Sequence, residues 1–248
     1  MWWAGKRASA RTAIAYAGER AVRLSLGGAL LVAADVDGRE SALAALSAGI
    51  RDLPRGTSLR VTVSGAVCRP FLLPEVAGVA GEGVAGKSEW TAIAAALVED
   101  RVGLPAGSPV WLDGGQSSPK MAVAIDAAWR DALVALDGRS LKSVRPWWAL
   151  AIESTLEGRA VSTSVSTVAA GLAVADSDEL VLLIAEGDTY RVAQTYPLDG
   201  ESATVVLNRA LVTHDLPSGG IELIEFDTGA LPGQQVDAVL PFRKGVPA

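Results

Sequence analysis

Glu179–Pro197, ELVLLIAEGDTYRVAQTYP, is the stretch from which the fold is read. An apolar run, Leu180 to Ala185, meets the polar break Glu186-Gly187-Asp188, and an alternating segment then runs from Tyr190 to Tyr196. A short apolar run closed by a Gly/Asp turn and followed by period-2 alternation is a β-hairpin with at least one well-buried strand. Thr12–Leu26, TAIAYAGERAVRLSL, has the same form, with its break at Gly18-Glu19-Arg20. Matching the two hairpins aligns Gly18 with Gly187 and Glu19 with Asp188. Two related hairpins far apart in one chain predict two lobes of similar design, divided as residues 1–158 and 159–248.

Composition narrows the class. The 248 residues are 50% apolar, enough for one large domain or two lobes and too much for a disordered chain. A net charge of -6, with 22 scattered basic residues, provides no basic stripe for a nucleic-acid backbone. Cys68 is the single cysteine, so an intrachain disulfide and a cysteine-based zinc site are excluded, and no metal site is expected. Apolar runs such as Val168–Ala175 and Trp147–Ile152 are shorter than the roughly 18 residues that span a bilayer. The opening MWWAGKRASA lacks the order of a signal peptide, so the expectation is a soluble, cytoplasmic protein.

Between the hairpins, Gly27-Gly28 permits a turn into a third strand, Ala29–Val36. Leu43, Leu46 and Ile50 recur at helical spacing ahead of Pro54, and Leu59–Ser64 alternates as a strand with which Val67–Leu73 is placed to pair. A glycine-rich loop, Gly78–Gly86, precedes a helix from Ser88 to about Val102, with Ser88 as its N-cap and Trp90, Ile93, Leu97 and Arg101 on one face beside Ala94 and Val98. Val110–Leu112 and Lys120–Ile125 flank a further hairpin loop. Asp126 caps a helix carrying Trp129, Leu133 and Leu136, and Leu141–Arg145 leads, through Pro146, into a helix at Trp147–Leu156. In the second half, Gly171–Ala175 precedes the central hairpin, and Asp199 is placed to cap a helix whose Ala203, Val206, Leu207, Ala210 and Leu211 share a face. Ile221–Phe226 and Val236–Leu240 are expected as closing strands, with RKGVPA as a frayed end.

This order resembles the actin-like, ribonuclease H-like fold, a two-lobed α/β architecture of mixed sheets, in the reduced form of the PilM and GspL families, the cytoplasmic platform proteins of type IV pilus and type II secretion systems. The residues that carry the resemblance are LRVTVSGAVCRPFLLPEV, SEWTAIAAALVEDRVG, KMAVAIDAAWRDALVAL and LKSVRPWWALAIES, within Leu59–Ser154. Nucleotide-binding actin-like proteins open each lobe with an Asp-x-Gly turn. Here Tyr16 and Ala185 stand two positions before Gly18 and Gly187, so both aspartates are missing. The resemblance therefore implies a non-catalytic scaffold with no cofactor, placed at the inner membrane by its partners. The implied partner is an inner-membrane platform protein whose short cytoplasmic peptide lies in a groove beside the first lobe; pairing with a second copy stays open.

Three other motifs compete for function. Glu19, Glu186 and Asp188 beside the turn glycines either serve an ATP-binding cleft or solvate hairpin tips. Gly81-Glu-Gly-Val-Ala-Gly86-Lys87-Ser88 matches G-x-x-x-x-G-K-S, the phosphate loop of NTPases and kinases, but Pro74–Gly78 does not read as the buried strand that such a loop requires. His214, the only histidine, has no nucleophile elbow to serve and fits a helix C-terminus. Of the two tryptophan pairs, Trp147-Trp148 reads as core and Trp2-Trp3 as a partner contact or tether.

Overall fold

In a computed structural model, residues 12–74, 84–112, 120–136, 141–152, 170–186, 189–217, 221–226 and 242–245 are described. The chain opens with an antiparallel meander, β1 (Thr12–Ala17), β2 (Ala21–Leu26) and β3 (Ala29–Asp35). Gly27 and Gly28, at φ +55° and +93°, supply the two left-handed residues that a tight β2–β3 turn demands. Helix α1 (Gly38–Arg51) returns the chain so that β4 (Ser58–Val63) lies parallel to β1. The chain then leaves the sheet through β5 (Cys68–Leu72), α2 (Val84–Val102), β6 (Val110–Leu112), β7 (Met121–Ile125) and α3 (Ala127–Ala135), and rejoins it as β8 (Leu141–Pro146), parallel to β4. The first sheet is thus β3-β2-β1-β4-β8, beside an antiparallel three-stranded sheet β5-β7-β6. Helical residues 147–152 form α4.

The second lobe repeats the plan: β9 (Ala170–Ala175), β10 (Glu179–Glu186) and β11 (Thr189–Pro197) form a meander, α5 (Ala203–Thr213) crosses it, and β12 (Ile221–Phe226) lies parallel to β9. Here the outer strand β13 (Phe242–Gly245) is antiparallel, and the order is β11-β10-β9-β12-β13. This topology corrects the hairpin alignment. The counterpart of β1–β2 is β9–β10, so Gly18, Glu19 and Arg20 correspond to Asp176, Ser177 and Asp178. The same backbone bond closes both turns, from Gly18 N to Ala21 O at 2.9 Å and from Asp176 N to Glu179 O at 3.0 Å. The expected division at 158/159 falls among residues 153–169, outside those described.

Each lobe has a core on one face of its sheet. Ala42, Leu46 and Ile50 of α1 pack with Trp129 and Leu133 of α3 on Ala13, Ala15, Leu24 and Val61. Gly49 lets α1 sit directly on the sheet, since a Cβ there would come within 2.5 Å of Val32 Cγ2. In the second lobe Ala203, Val206, Leu207, Ala210 and Leu211 are all buried against Leu180, Leu182 and Ile184, the face expected from the sequence. A third cluster joins the lobes: Trp147 and Trp148 lie among Tyr16 and Ala21 of the first and Val174, Val181 and Ile224 of the second. Trp147 is completely buried, and burying ~200 Å² of indole at ~25 cal/mol per Å² is worth about 5 kcal/mol.

Several local expectations are corrected. Strand β5 pairs with β7 rather than β4, because the turn at Ser64–Val67 redirects the chain and β4 already has β1 and β8 on its two edges. Ser88 is not an N-cap, since α2 is already helical at Val84, and its buried face is Trp90, Ala94, Val98 and Val102, with Arg101 exposed. Asp199 sits in a turn at φ +49°, and Ser202 caps α5 instead, its Oγ accepting from Val205 N. Arg243–Gly245 belong to β13 rather than to a frayed end, while Val236–Leu240 lie outside the described residues.

Candidate functional site

Three chain reversals meet between the lobes: the β1–β2 turn at Gly18–Arg20, the β4–β5 link at Ser64–Val67, and the β9–β10 turn at Asp176–Asp178. The third supplies carboxylates to the other two. Asp178 Oδ2 accepts from Glu19 N at 2.7 Å, and its Oδ1 accepts from Arg20 N at 3.0 Å and from Ser177 Oγ at 3.0 Å. Because Ser177 commits its proton to Asp178, Tyr16 is the donor in the 3.1 Å bond between their hydroxyls. Asp176 Oδ2 accepts from Gly65 N at 2.8 Å, and Oδ1 accepts from Asp178 N and Glu179 N at 2.8 and 2.9 Å. The close approach requires the glycines: a Cβ on Gly18 would collide with the Asp178 carboxylate, and one on Gly65 would lie 3.0 Å from Val181 Cγ2.

The cleft is buried and acidic. Asp176, Asp178 and Glu179 are all buried. Burial, helped by the neighbouring Asp178 charge, raises Asp176 to about 6 against the pull of its amide donors. Burial also raises Glu179 to about 7, opposed by Arg69 and reinforced by Asp176, Asp178 and Asp199. Arg69 Nη2 lies 3.5 Å from Glu179 Oε1, and the guanidinium is held in place by the carbonyls of Ala66 and Val102. Glu179 Oε2 has no hydrogen-bond partner among the described residues. Tyr16, fully buried, is pushed well above the usual phenol range by desolvation and then by the Asp176 and Asp178 charges.

Of the residues singled out from the sequence, Gly18 and Glu19 do reach this cleft, Glu19 through its backbone amide. Glu186 does not. It lies at the far end of β10, exposed, and bonds to Arg191 at 3.2 Å; it is the last residue of the strand that Glu179 begins, about 23 Å away at ~3.3 Å per residue. Gly187, Asp188, Gly81, Trp2 and Trp3 lie outside the described residues. Gly86, Lys87 and Ser88 are inside α2, with Lys87 O accepting from Thr91 Oγ1 and both Lys87 and Ser88 exposed. The described strand before them, β5, runs in an antiparallel sheet, and residues 75–83, directly ahead of the motif, lie outside the described residues. His214 caps the C-terminal end of α5, its Nε2 2.6 Å from Tyr196 Oη. Asp176, Asp178 and Glu179 were missed. Their signal is DSDE, three acids in four positions between two apolar strands, more charge than a hairpin tip needs.

Asp178 saturates the amides of the first turn, Tyr16 fills the space behind them, and among the described residues no group of three or more His, Cys, Asp or Glu is arranged to hold a metal ion.

A second concavity lies on the first lobe. A cavity of about 560 Å³ separates β8 from β6 and β7. Leu141, Val144 and Pro146 of β8 form one wall, Trp111 and Leu112 of β6 the other, and Trp148 lines it from α4. Among the described residues β8 and β6 are the outermost strands of their sheets. Trp111 and Val134 on the rim are 53% and 58% exposed, which is unusual for large apolar side chains so close together. Among the described lining residues the one cation, Arg130, is paired with Asp131.

No protein-family model matches the chain, and no curated protein matches it. Solved structures do. A Bacteroides thetaiotaomicron protein with actin-like ATPase fold and unknown function has TM-score 0.55 and 10% identity, over 90% of this chain and 84% of that one. The cytoplasmic domain of EpsL, an inner membrane component of the type II secretion system of Vibrio cholerae, has TM-score 0.49 and 13% identity, over 87% and 82%. The PilM-PilN type IV pilus biogenesis complex has TM-score 0.45 and 16% identity, over 82% and 68%. This chain has the actin-like ATPase fold in a reduced, two-lobed form.

Proposed function

We propose that the protein is a non-catalytic actin-like adaptor of an inner-membrane assembly platform of the type IV pilus or type II secretion kind, and that it holds a short, partly apolar peptide of a platform protein in the groove between β6 and β8. The observation that carries this reading is the groove itself, about 560 Å³ with largely apolar walls between two strands that are outermost in their sheets among the described residues. An extended peptide gains main-chain hydrogen bonds from such an edge and specificity from the pockets beside it. The resemblance of Leu59–Ser154 to the pilus and secretion platform families supplies the setting. Micromolar affinity, about -8 kcal/mol, is what one small groove supplies after the peptide is ordered. The net charge of -6 favours a basic peptide and binding that weakens with salt. Trp2 and Trp3, ahead of β1, are proposed as a second contact. Among the described residues no helix is long and apolar enough to cross a membrane, and residence on the cytoplasmic side of the inner membrane, through the partner, is part of the same proposal.

The test is an affinity capture from the native host with wild-type protein and with Val144→Asp in the groove. Recovery of pilus or secretion platform proteins by the wild type alone supports the adaptor reading; equal recovery by both, or recovery of neither platform, overturns it. The rival reading, an ATP-binding actin-like protein, requires Mg·ATP to raise the melting temperature in proportion to RT ln(1 + [L]/Kd).

A further inference from the structure

We infer that Asp178 is a built-in oxyanion: its carboxylate fills the amide cradle of the β1–β2 turn, where a phosphate-like ligand would sit, and clamps the two lobes together in place of that ligand. Two consecutive amides, Glu19 N and Arg20 N, converge on one carboxylate, each bonding a different oxygen at 2.7 and 3.0 Å. Successive amides that point into one concavity are an anion site by geometry, and charge-assisted bonds of this length are about twice as strong as neutral ones. The donor turn belongs to the first lobe and the anion to the second, 158 and 159 positions apart in the chain.

Three further features are shaped to this occupant. Gly18 lacks a left-handed φ, so its need for glycine is steric: a side chain there would strike Asp178 Oδ2 and come within 3.0 Å of Tyr16 Oη and Ser64 Cβ. Ser177 and Tyr16 complete a chain of hydroxyls behind the carboxylate, fixing its rotamer. Asp176 makes the second tie, to Gly65 N, so the clamp has two anchors on the first lobe. A diffusing anion competes poorly with a tethered one, whose effective concentration is set by the fold. The ligand class excluded in this way is the oxyanion: inorganic phosphate, sulfate, or the phosphates of a nucleotide. The inference is independent of the groove and of what binds there.

The experiment compares wild type, Asp178→Ala, Asp178→Asn and Gly18→Ala, with sodium phosphate and Mg·ATP as probes. Both are kept at low millimolar concentration, below the range in which salts stabilise by exclusion, and matched with sodium chloride. Melting temperature and residue-resolved amide exchange are read. In the wild type the Glu19 and Arg20 amides exchange slowly, roughly 100-fold below free turn amides, and neither probe shifts the melting temperature. Asp178→Ala loses that protection, melts lower, and gains a dose-dependent upward shift with phosphate. Asp178→Asn, with one acceptor oxygen left, loses protection at one of the two amides, and Gly18→Ala loses it by displacing the carboxylate. Fast wild-type exchange at both amides overturns the inference, as does a wild-type response to either probe. So does an Asp178→Ala protein that is unprotected yet indifferent to phosphate, because the carboxylate is then only a turn brace. If Asp178→Ala does not fold, the wild-type exchange and the Asp178→Asn pattern decide.

Discussion

The Asp176 carboxylate bonds the Gly65 amide at 2.8 Å, a contact that spans 111 positions of sequence and draws a buried acid from one lobe onto the backbone of the other. An acid buried in this way stabilises the fold more when protonated than when charged, which makes the lobe junction sensitive to pH.

Stability is therefore expected to fall between about pH 4 and pH 7. Asp176 is raised from 3.8 to about 6 and Glu179 from 4.5 to about 7. A folded value above the unfolded one means that the contribution is fully present below the unfolded value and is lost as pH rises through the folded value. The charges facing the pair are Arg69, which opposes the shift of Glu179, and Asp178 and Asp199, which add to it. One pKa unit is about 1.4 kcal/mol, so the two acids together account for a loss on the order of a few kcal/mol. Urea midpoints at both pH values measure it. Glu179→Gln should flatten the slope; stability that rises across this interval would contradict the assignment.

Gly18 and Gly27 should respond to alanine for different reasons. At Gly27, φ is +55° with open space around it, so Gly27→Ala costs only backbone strain, about 1 kcal/mol. Gly18→Ala adds a collision with a bonded carboxylate at a buried turn and is expected to cost ~1–3 kcal/mol as overpacking does. Equal destabilisation of the two variants in thermal melts would deny that Gly18 is sterically required.

Asp126 caps α3, its Oδ1 accepting from Trp129 N at 3.0 Å, while Arg39 Nη1 lies 3.4 Å from both carboxylate oxygens. Removing the acceptor in Asp126→Ala should cost about 1–2 kcal/mol. Asp126→Asn keeps the acceptor and loses only the pairing with a 41% exposed arginine side chain, within about 1 kcal/mol. Chemical denaturation of the two variants separates cap from ion pair.

Trp147→Ala and Trp111→Ala should sit at opposite ends of the scale. Trp147, fully buried at the lobe junction, should cost ~3–5 kcal/mol. Trp111, half exposed on the groove rim, should change stability by less than about 0.5 kcal/mol. Its loss should instead show in peptide capture, so a stable Trp111→Ala protein with undiminished capture would remove the rim from the binding site.

What could be seen in the sequence depended on whether the cause was local. The α5 face was legible to the residue because a 3.6-residue period reports which side is buried, and Asp126 was legible because a cap acts within one turn. Which strand neighbours which is not local: β5 follows β4 in the chain yet pairs with β7, and the hairpin alignment slipped by one strand because Glu-Gly-Asp resembled Gly-Glu-Arg better than Asp-Ser-Asp did. The start of α2 was misplaced because Ser88 is a good cap in the abstract, and the helix was already under way at Val84. Asp176 and Asp178 stayed hidden because their cross-lobe partners are backbone amides, which leave no trace in residue identity.

Cys68, the only cysteine, is 3% exposed, and burial pushes its thiol up to about 12. A thiol that is buried and held in its neutral form is expected to react slowly with alkylating dyes. A reporter thiol placed at Leu31 in the first lobe or Val212 in the second, 48% and 81% exposed, should be modified well ahead of it. The natural protein is thus ready for paired fluorophores without first deleting a cysteine, and the separation of the two lobes can be followed by energy transfer as peptide, proton or phosphate is added.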